Sequence, residues 1–146
     1  MNIISICPKN IYLHHNSNKV RMQALYIQKT EDTPEVRFEP QEGVFSIMGR
    51  SWPENAIEMY SPLITWFNEY FQKPNGITNL DVNFEYFNTA SAKQFAKLLM
   101  VLEENADKSN IEVNWMYEKD DLDMLNAGMR YSKLIKLPFK FTEASE

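Results

Sequence analysis

The chain has 146 residues, of which 44% are hydrophobic and 24% charged, with 15 Lys plus Arg against 20 Asp plus Glu for a formal charge of −5. That size and mixture suits one packed domain and excludes general disorder. The acidic balance argues against nucleic acid or an anionic membrane surface as a partner. No apolar run approaches the roughly 20 residues that cross a bilayer, and no secretory signal is evident at the start, which points to the cytoplasm.

Residues 1–21 keep neither a period of two nor one of 3.6, and they hold Pro8 and both histidines of the chain, His14 and His15. They read as a poorly ordered extension ahead of a domain at 22–146. A second reading places the native start at Met22, where a strand-like segment opens at once. The lone Cys7 cannot form an internal disulfide or complete a structural zinc site, and adjacent histidines on such a leader offer no fixed geometry, so no metal is expected.

Ala24 to Gln28, Glu35 to Phe38 and Gly43 to Gly49 are short β-type runs, and Pro40-Gln41-Glu42-Gly43 joins the last two as a hairpin. Ser51-Trp52-Pro53-Glu54 has the form of a capping box, which predicts a helix starting there. Its apolar stripe is Ile57, Tyr60, Leu63, Ile64, Phe67 and Phe71, with a bend at Pro62 and a stop at Pro74-Asn75-Gly76. Asn79 to Tyr86 alternates with Leu80, Val82, Phe84 and Tyr86 on one side, as a half-buried strand does. Phe95, Leu98, Leu99, Leu102 and Ala106 mark a second helix, and Ile111, Val113, Trp115 and Tyr117 another strand. Leu122, Leu125 and Met129 mark a third helix starting near Asp120 or Asp121, and Leu137 to Phe141 is a final strand. From the third strand onward the order is β-α-β-α-β-α-β, so the fold class is α/β, one domain with a mixed, mostly parallel sheet and about three main helices. Because its strands alternate, one face of the sheet should be less covered than the other.

The four glycines form neither a dinucleotide nor a phosphate-binding loop, so no nucleotide cofactor is expected. The domain from residue 22 has no histidine or cysteine, which removes the usual nucleophile–imidazole pairs and argues against an enzyme. Asp120, Asp121 and Asp123 could hold Mg²⁺ through oxygen ligands, but acidic residues in a first helical turn are also favoured by the helix dipole, by about 0.3–1 kcal/mol each. A metal-dependent hydrolase using those three carboxylates stays an alternative, as does a small-ligand receptor with a closed pocket of roughly 300 Å³ or more on the barer sheet face.

The junction Tyr86-Phe87-Asn88-Thr89-Ala90-Ser91-Ala92-Lys93 is different. A strand ending in two aromatics gives way to small and hydroxyl-bearing residues one turn before a lysine. In a parallel sheet this place puts a helix N-terminus next to a strand end, where an anion is favoured. A phosphate on Thr89 would suit it. The plainer reading, Asn88 or Thr89 as N-cap, leaves Ser91 unexplained.

Together with this junction, Thr33-Pro34-Glu35-Val36-Arg37-Phe38, Gly49-Arg50-Ser51 with Pro53-Glu54-Asn55-Ala56, Asp120-Asp121-x-Asp123-Met124-Leu125 with Gly128, and Leu137-Pro138-Phe139 resemble the SiaC family of bacterial regulatory phosphoproteins, from about residue 25 to 141. The resemblance implies a fold similar to the STAS domains of anti-sigma-factor antagonists. It implies that Thr89 is phosphorylated by a serine/threonine kinase and released by a serine/threonine phosphatase. It also implies that the unmodified form binds and activates an effector, a diguanylate cyclase, raising cyclic di-GMP and favouring biofilm growth or aggregation. Asn88, Thr89, Ser91 and Lys93 are the expected partner surface, with Thr89 rather than Ser91 as main acceptor. Arg37, Arg50, Glu54 and Asn55 are weaker candidates, since helix capping accounts for Glu54 and Asn55 about as well.

Overall fold

The computed structural model of the protein describes residues 4–7 and 22–144. The strands are β1 (Ile4–Cys7), β2 (Ala24–Ile27), β3 (Glu35–Glu39), β4 (Val44–Ser51), β5 (Ile77–Phe87), β6 (Asn110–Glu118) and β7 (Phe139–Ala144). Three helices, α1 (Ala56–Tyr70), α2 (Thr89–Glu104) and α3 (Leu122–Leu134), are the crossovers between β4, β5, β6 and β7. The sheet runs in simple sequence order from β1 to β7. Pairing is antiparallel from β1 to β4 and parallel from β4 to β7, as the element order requires.

One segment departs from the expected disordered leader: Ile4 to Cys7 pairs antiparallel with Ala24 to Ile27, extending the sheet beyond β2. The run Ile-Ser-Ile-Cys is β-prone, and without it β2 would present an unpaired row of backbone groups. His14 and His15 lie outside the described residues. The β3–β4 hairpin closes as the sequence suggested, with Glu42 N–H donating to Glu39 C=O and Gly43 N–H to Pro40 C=O, and with Gly43 at φ 70°. That left-handed conformation is one a residue with a side chain adopts reluctantly.

All three helices cover one face of the sheet. Register places Phe38 beside Phe45, Ile47 beside Val82 and Val82 beside Trp115, and on that side Phe38 meets Trp66 and Phe67 of α1, Phe84 meets Phe95 of α2, and Trp115 meets Tyr131 of α3. Burying each such side chain is worth about 1.5–3 kcal/mol, and a good aromatic pair adds about 0.5–1.5. The opposite face carries Arg37, Asp81, Asn114 and Lys140 in register and is covered by no described helix. Its polar groups bond laterally, Thr142 to Asn114 (2.7 Å) and Asn114 to Asp81 (3.2 Å).

Several local expectations are corrected. Ser51 is not an N-cap: β4 runs through it, and α1 begins after Asn55, whose Oδ1 accepts from Glu58 N–H. The capping-box pattern fails because Ser51 is still paired to Phe87 in the sheet. The buried stripe of α1 is Ala56, Met59, Tyr60, Leu63, Trp66, Phe67 and Tyr70, leaving Ile57 61% exposed. In α3 the buried stripe is Met124, Ala127, Gly128 and Tyr131, whereas Leu122 and Met129 are exposed. The bulky residues misled because the small ones seat the helix: a Cβ on Gly128 would come within 2.4 Å of the Trp115 ring. Ala106 lies in the turn after α2 and is exposed. Tyr86 is also exposed, because the register shift between Gly49 and Arg50 leaves Glu85 unpaired and takes Tyr86 out to Trp52, ring to edge at 5.6 Å.

Candidate functional site

The carboxyl ends of β4 and β5 meet the start of α2. Asn88 caps that helix in extended backbone, its Oδ1 accepting from Ser91 N–H at 2.8 Å, and its own N–H donates to Ser51 C=O at 3.0 Å. Thr89 is therefore the first residue of the helix, and it is exposed. Two residues further on, Ser91 is fully buried. Its Oγ accepts from Ser51 Oγ at 2.8 Å, and since that uses the one proton of Ser51, the Tyr60 hydroxyl donates to Ser51, also at 2.8 Å. Burial pushes the Tyr60 phenol up to about 12, with hydrogen bonding to Ser51 and Ser91 pulling the other way. This chain of hydroxyls ties α1, β4 and α2 together beneath Thr89.

Ser91 is thus removed from the expected partner surface: no partner can reach it, and its place in the sequence is explained by the buried hydroxyl chain. The other expected residues divide by location. Asn88 is partly buried as a cap, and Thr89 and Lys93 are exposed together on α2. Arg50 is exposed and ion-paired to Glu85 at 3.7 Å, which also holds Lys29 at 3.3 Å; exposed pairs of this kind are worth about 0–1 kcal/mol. Glu54 and Asn55 lie at the start of α1, where they line a cavity of 480 Å³ with Asp32, Thr33 and Met59. Arg37 sits on the open sheet face, paired to Glu39 at 3.1 Å.

Beside Thr89 a groove of 340 Å³ runs between α2 and α3. Phe87, Ala92, Ala127, Tyr131 and Leu134 give it an apolar lining, while Thr89, Lys93 and Arg130 stand along it. Tyr131 sets the spacing of the two helices by donating to Ala92 C=O at 2.8 Å. Arg130 and the α3 wall carry no signal in the sequence, because they lie some forty residues from Thr89 and the large residues Leu122 and Met129 are not the buried stripe of α3.

The acidic cluster does not converge. Asp121 caps α3 by accepting from Met124 N–H at 3.0 Å, and Asp123 lies in the first turn. Among the described residues no group of three or more His, Cys, Asp or Glu is placed to hold a metal ion, so the hydrolase alternative loses its site. On the open sheet face, among the described residues, the depression around Met48, Asn83 and Glu85 measures 220 Å³ and is open to solvent, short of the closed pocket that a ligand receptor calls for. No described helix is long and apolar enough to cross a membrane.

Comparison with known proteins agrees with this geometry. The model of the SiaC family regulatory phosphoprotein matches residues 27–144. A curated protein of Pseudomonas aeruginosa (strain UCBPP-PA14) is 27% identical over 119 residues, covering 81% of this chain and 94% of that one. Apo-SiaC from Pseudomonas aeruginosa is similar in structure with a TM-score of 0.73 at 25% identity, over 83% of this chain and 99% of that one. A chain in the crystal structure of the diguanylate cyclase SiaD in complex with its activator SiaC, from the same organism, gives a TM-score of 0.76 at 25% identity, over 82% of this chain and 98% of that one.

Proposed function

The chain belongs to the SiaC family of regulatory phosphoproteins, and on that premise we propose that it is a non-enzymatic, cytoplasmic partner-switching protein whose unmodified form binds and activates a diguanylate cyclase. In this reading a serine/threonine kinase phosphorylates Thr89, which ends the interaction, and a serine/threonine phosphatase restores it. The output is cyclic di-GMP, and through it biofilm growth or aggregation. The observation that carries the reading is the contrast at one helix start: Thr89 is exposed while Ser91, two residues away, is fully buried. The relative crystallised with its cyclase supplies the class of effector.

Phosphorylation adds about −1.5 to −2 charges and three acceptor oxygens. In the free protein the helix N-terminus and water stabilise them. Against a docked partner the same charge must shed water, and a penalty of about 4 kcal/mol corresponds to a thousandfold loss of affinity at about 1.4 kcal/mol per tenfold. The switch needs no rearrangement of the fold. A titration of the cognate cyclase tests it: Thr89→Ala should bind as the unmodified protein does and resist phosphorylation, while Thr89→Glu binds weakly. Equal affinities for wild type and Thr89→Glu would refute the charge argument. Site-resolved mass spectrometry after kinase treatment should find the phosphate on Thr89 and none on Ser91.

A further inference from the structure

We propose that Lys93 and Arg130 form a two-helix cationic clamp that holds the Thr89 phosphate in cis over the groove between α2 and α3; the proposal rests on Thr89 being the modified residue. In a chain with 15 basic against 20 acidic residues, the lining of this groove contains two cations and no carboxylate. Among the described residues neither cation forms an ion pair, in contrast to Lys29 and Arg50, which hold Glu85, and Arg37, which holds Glu39. Two cations without an ion pair thus line the same groove as the residue that gains a dianion. Lys93 follows Thr89 by four positions, on the same face of α2. Arg130 comes from α3, and its planar fork matches two phosphate oxygens at once. The Tyr131 to Ala92 hydrogen bond holds the two helices at a fixed separation. Tyr131 itself stays neutral, since burial pushes its phenol up.

The clamp gives the modification a second consequence besides added charge. A phosphate folded over the groove covers its apolar floor and occupies both cations, so a docking partner loses the seat as well as meeting an anion. Glutamate at position 89, shorter and singly charged, would reach this state only in part.

The test uses the full chain with phosphothreonine genetically encoded at position 89, so that no kinase is required. A ³¹P NMR titration reads the second pKa of the phosphate, ordinarily about 6. Two nearby cations should depress it by about one unit relative to the phosphorylated Lys93→Gln/Arg130→Gln double variant, with each single variant in between. Lys97→Gln, one turn further along α2 and outside the groove, should leave the value unchanged. Both clamp residues are exposed, and the unmodified variants should melt with wild type. Identical phosphate pKa values in wild type and the double variant would overturn the clamp. That outcome leaves the switch itself standing, which fails only if phosphothreonine at 89 does not change cyclase affinity.

Discussion

The starts of α1 and α2 are built alike and do different things. Each follows a strand of the parallel half of the sheet, and each is capped by an asparagine whose Oδ1 accepts from the N–H three residues on, at 3.1 Å for Asn55 and 2.8 Å for Asn88. The first helical residue differs in kind and in surroundings: Ala56 is 7% exposed and part of the core, whereas Thr89 is exposed. The same capping chemistry therefore makes one end a structural joint and the other an accessible handle. What distinguishes them is which residue the sheet and neighbouring helix cover, a property of packing rather than of the local motif.

The largest expected effect breaks the contrast from the α2 side. Thr89→Glu should lower cyclase affinity by up to about a thousandfold, by the desolvation argument above, in a calorimetric titration. Transplanting the hydroxyl is the converse experiment. Ala56→Thr, made in the Thr89→Ala background, should stay unmodified by the kinase, because identity without accessibility is not enough, and crowding of the core should cost about 1–3 kcal/mol in denaturant unfolding.

A third test removes the layer beneath Thr89. Ser91→Ala leaves Ser51 short of a buried partner and should cost about 1–3 kcal/mol. The same layer sets an alkaline limit. Burial pushes the folded Tyr60 phenol up to about 12, above its ordinary value of 10.0, so the folded state holds that proton more tightly than the unfolded one. Its contribution is complete below pH 10 and is lost as pH rises towards 12; unfolding at pH 8 and pH 11 should show the loss in wild type and a smaller one in Tyr60→Phe. The smallest effects come from the caps. Asn55→Ala and Asn88→Ala should each cost about 1 kcal/mol of stability, and only Asn88→Ala should also weaken cyclase binding.

From Ala24 onward the element order, the hairpin turn and the strand-to-helix junction at Thr89 were legible, because alternation, punctuation by Pro and Gly, and Asn before a helix are local signals, whereas β1 in the leader was not. It misplaced what depends on neighbours. Ser51 looked like a cap because Ser-x-x-Glu is a cap pattern in isolation, and only sheet pairing to Phe87 shows that the strand has not ended. Leu122 and Met129 looked like core because they are large, yet the close contact with Trp115 selects Ala127 and Gly128 instead. Ser91 looked like partner surface because it stands beside Thr89, and its burial emerges only when Ser51 and Tyr60 are brought to it from other elements. Arg130 carried no signal, since its relation to Thr89 exists only after α3 packs.

Gly128 sets the altitude of α3 above the sheet. A single added methyl there would strike the Trp115 indole, lifting the helix and prising open the channel it shares with α2, and so the bite of whatever docks beside Thr89. If the partner seats in that channel as proposed, its affinity is retuned from beneath by a buried residue, and Trp115 fluorescence registers the lift.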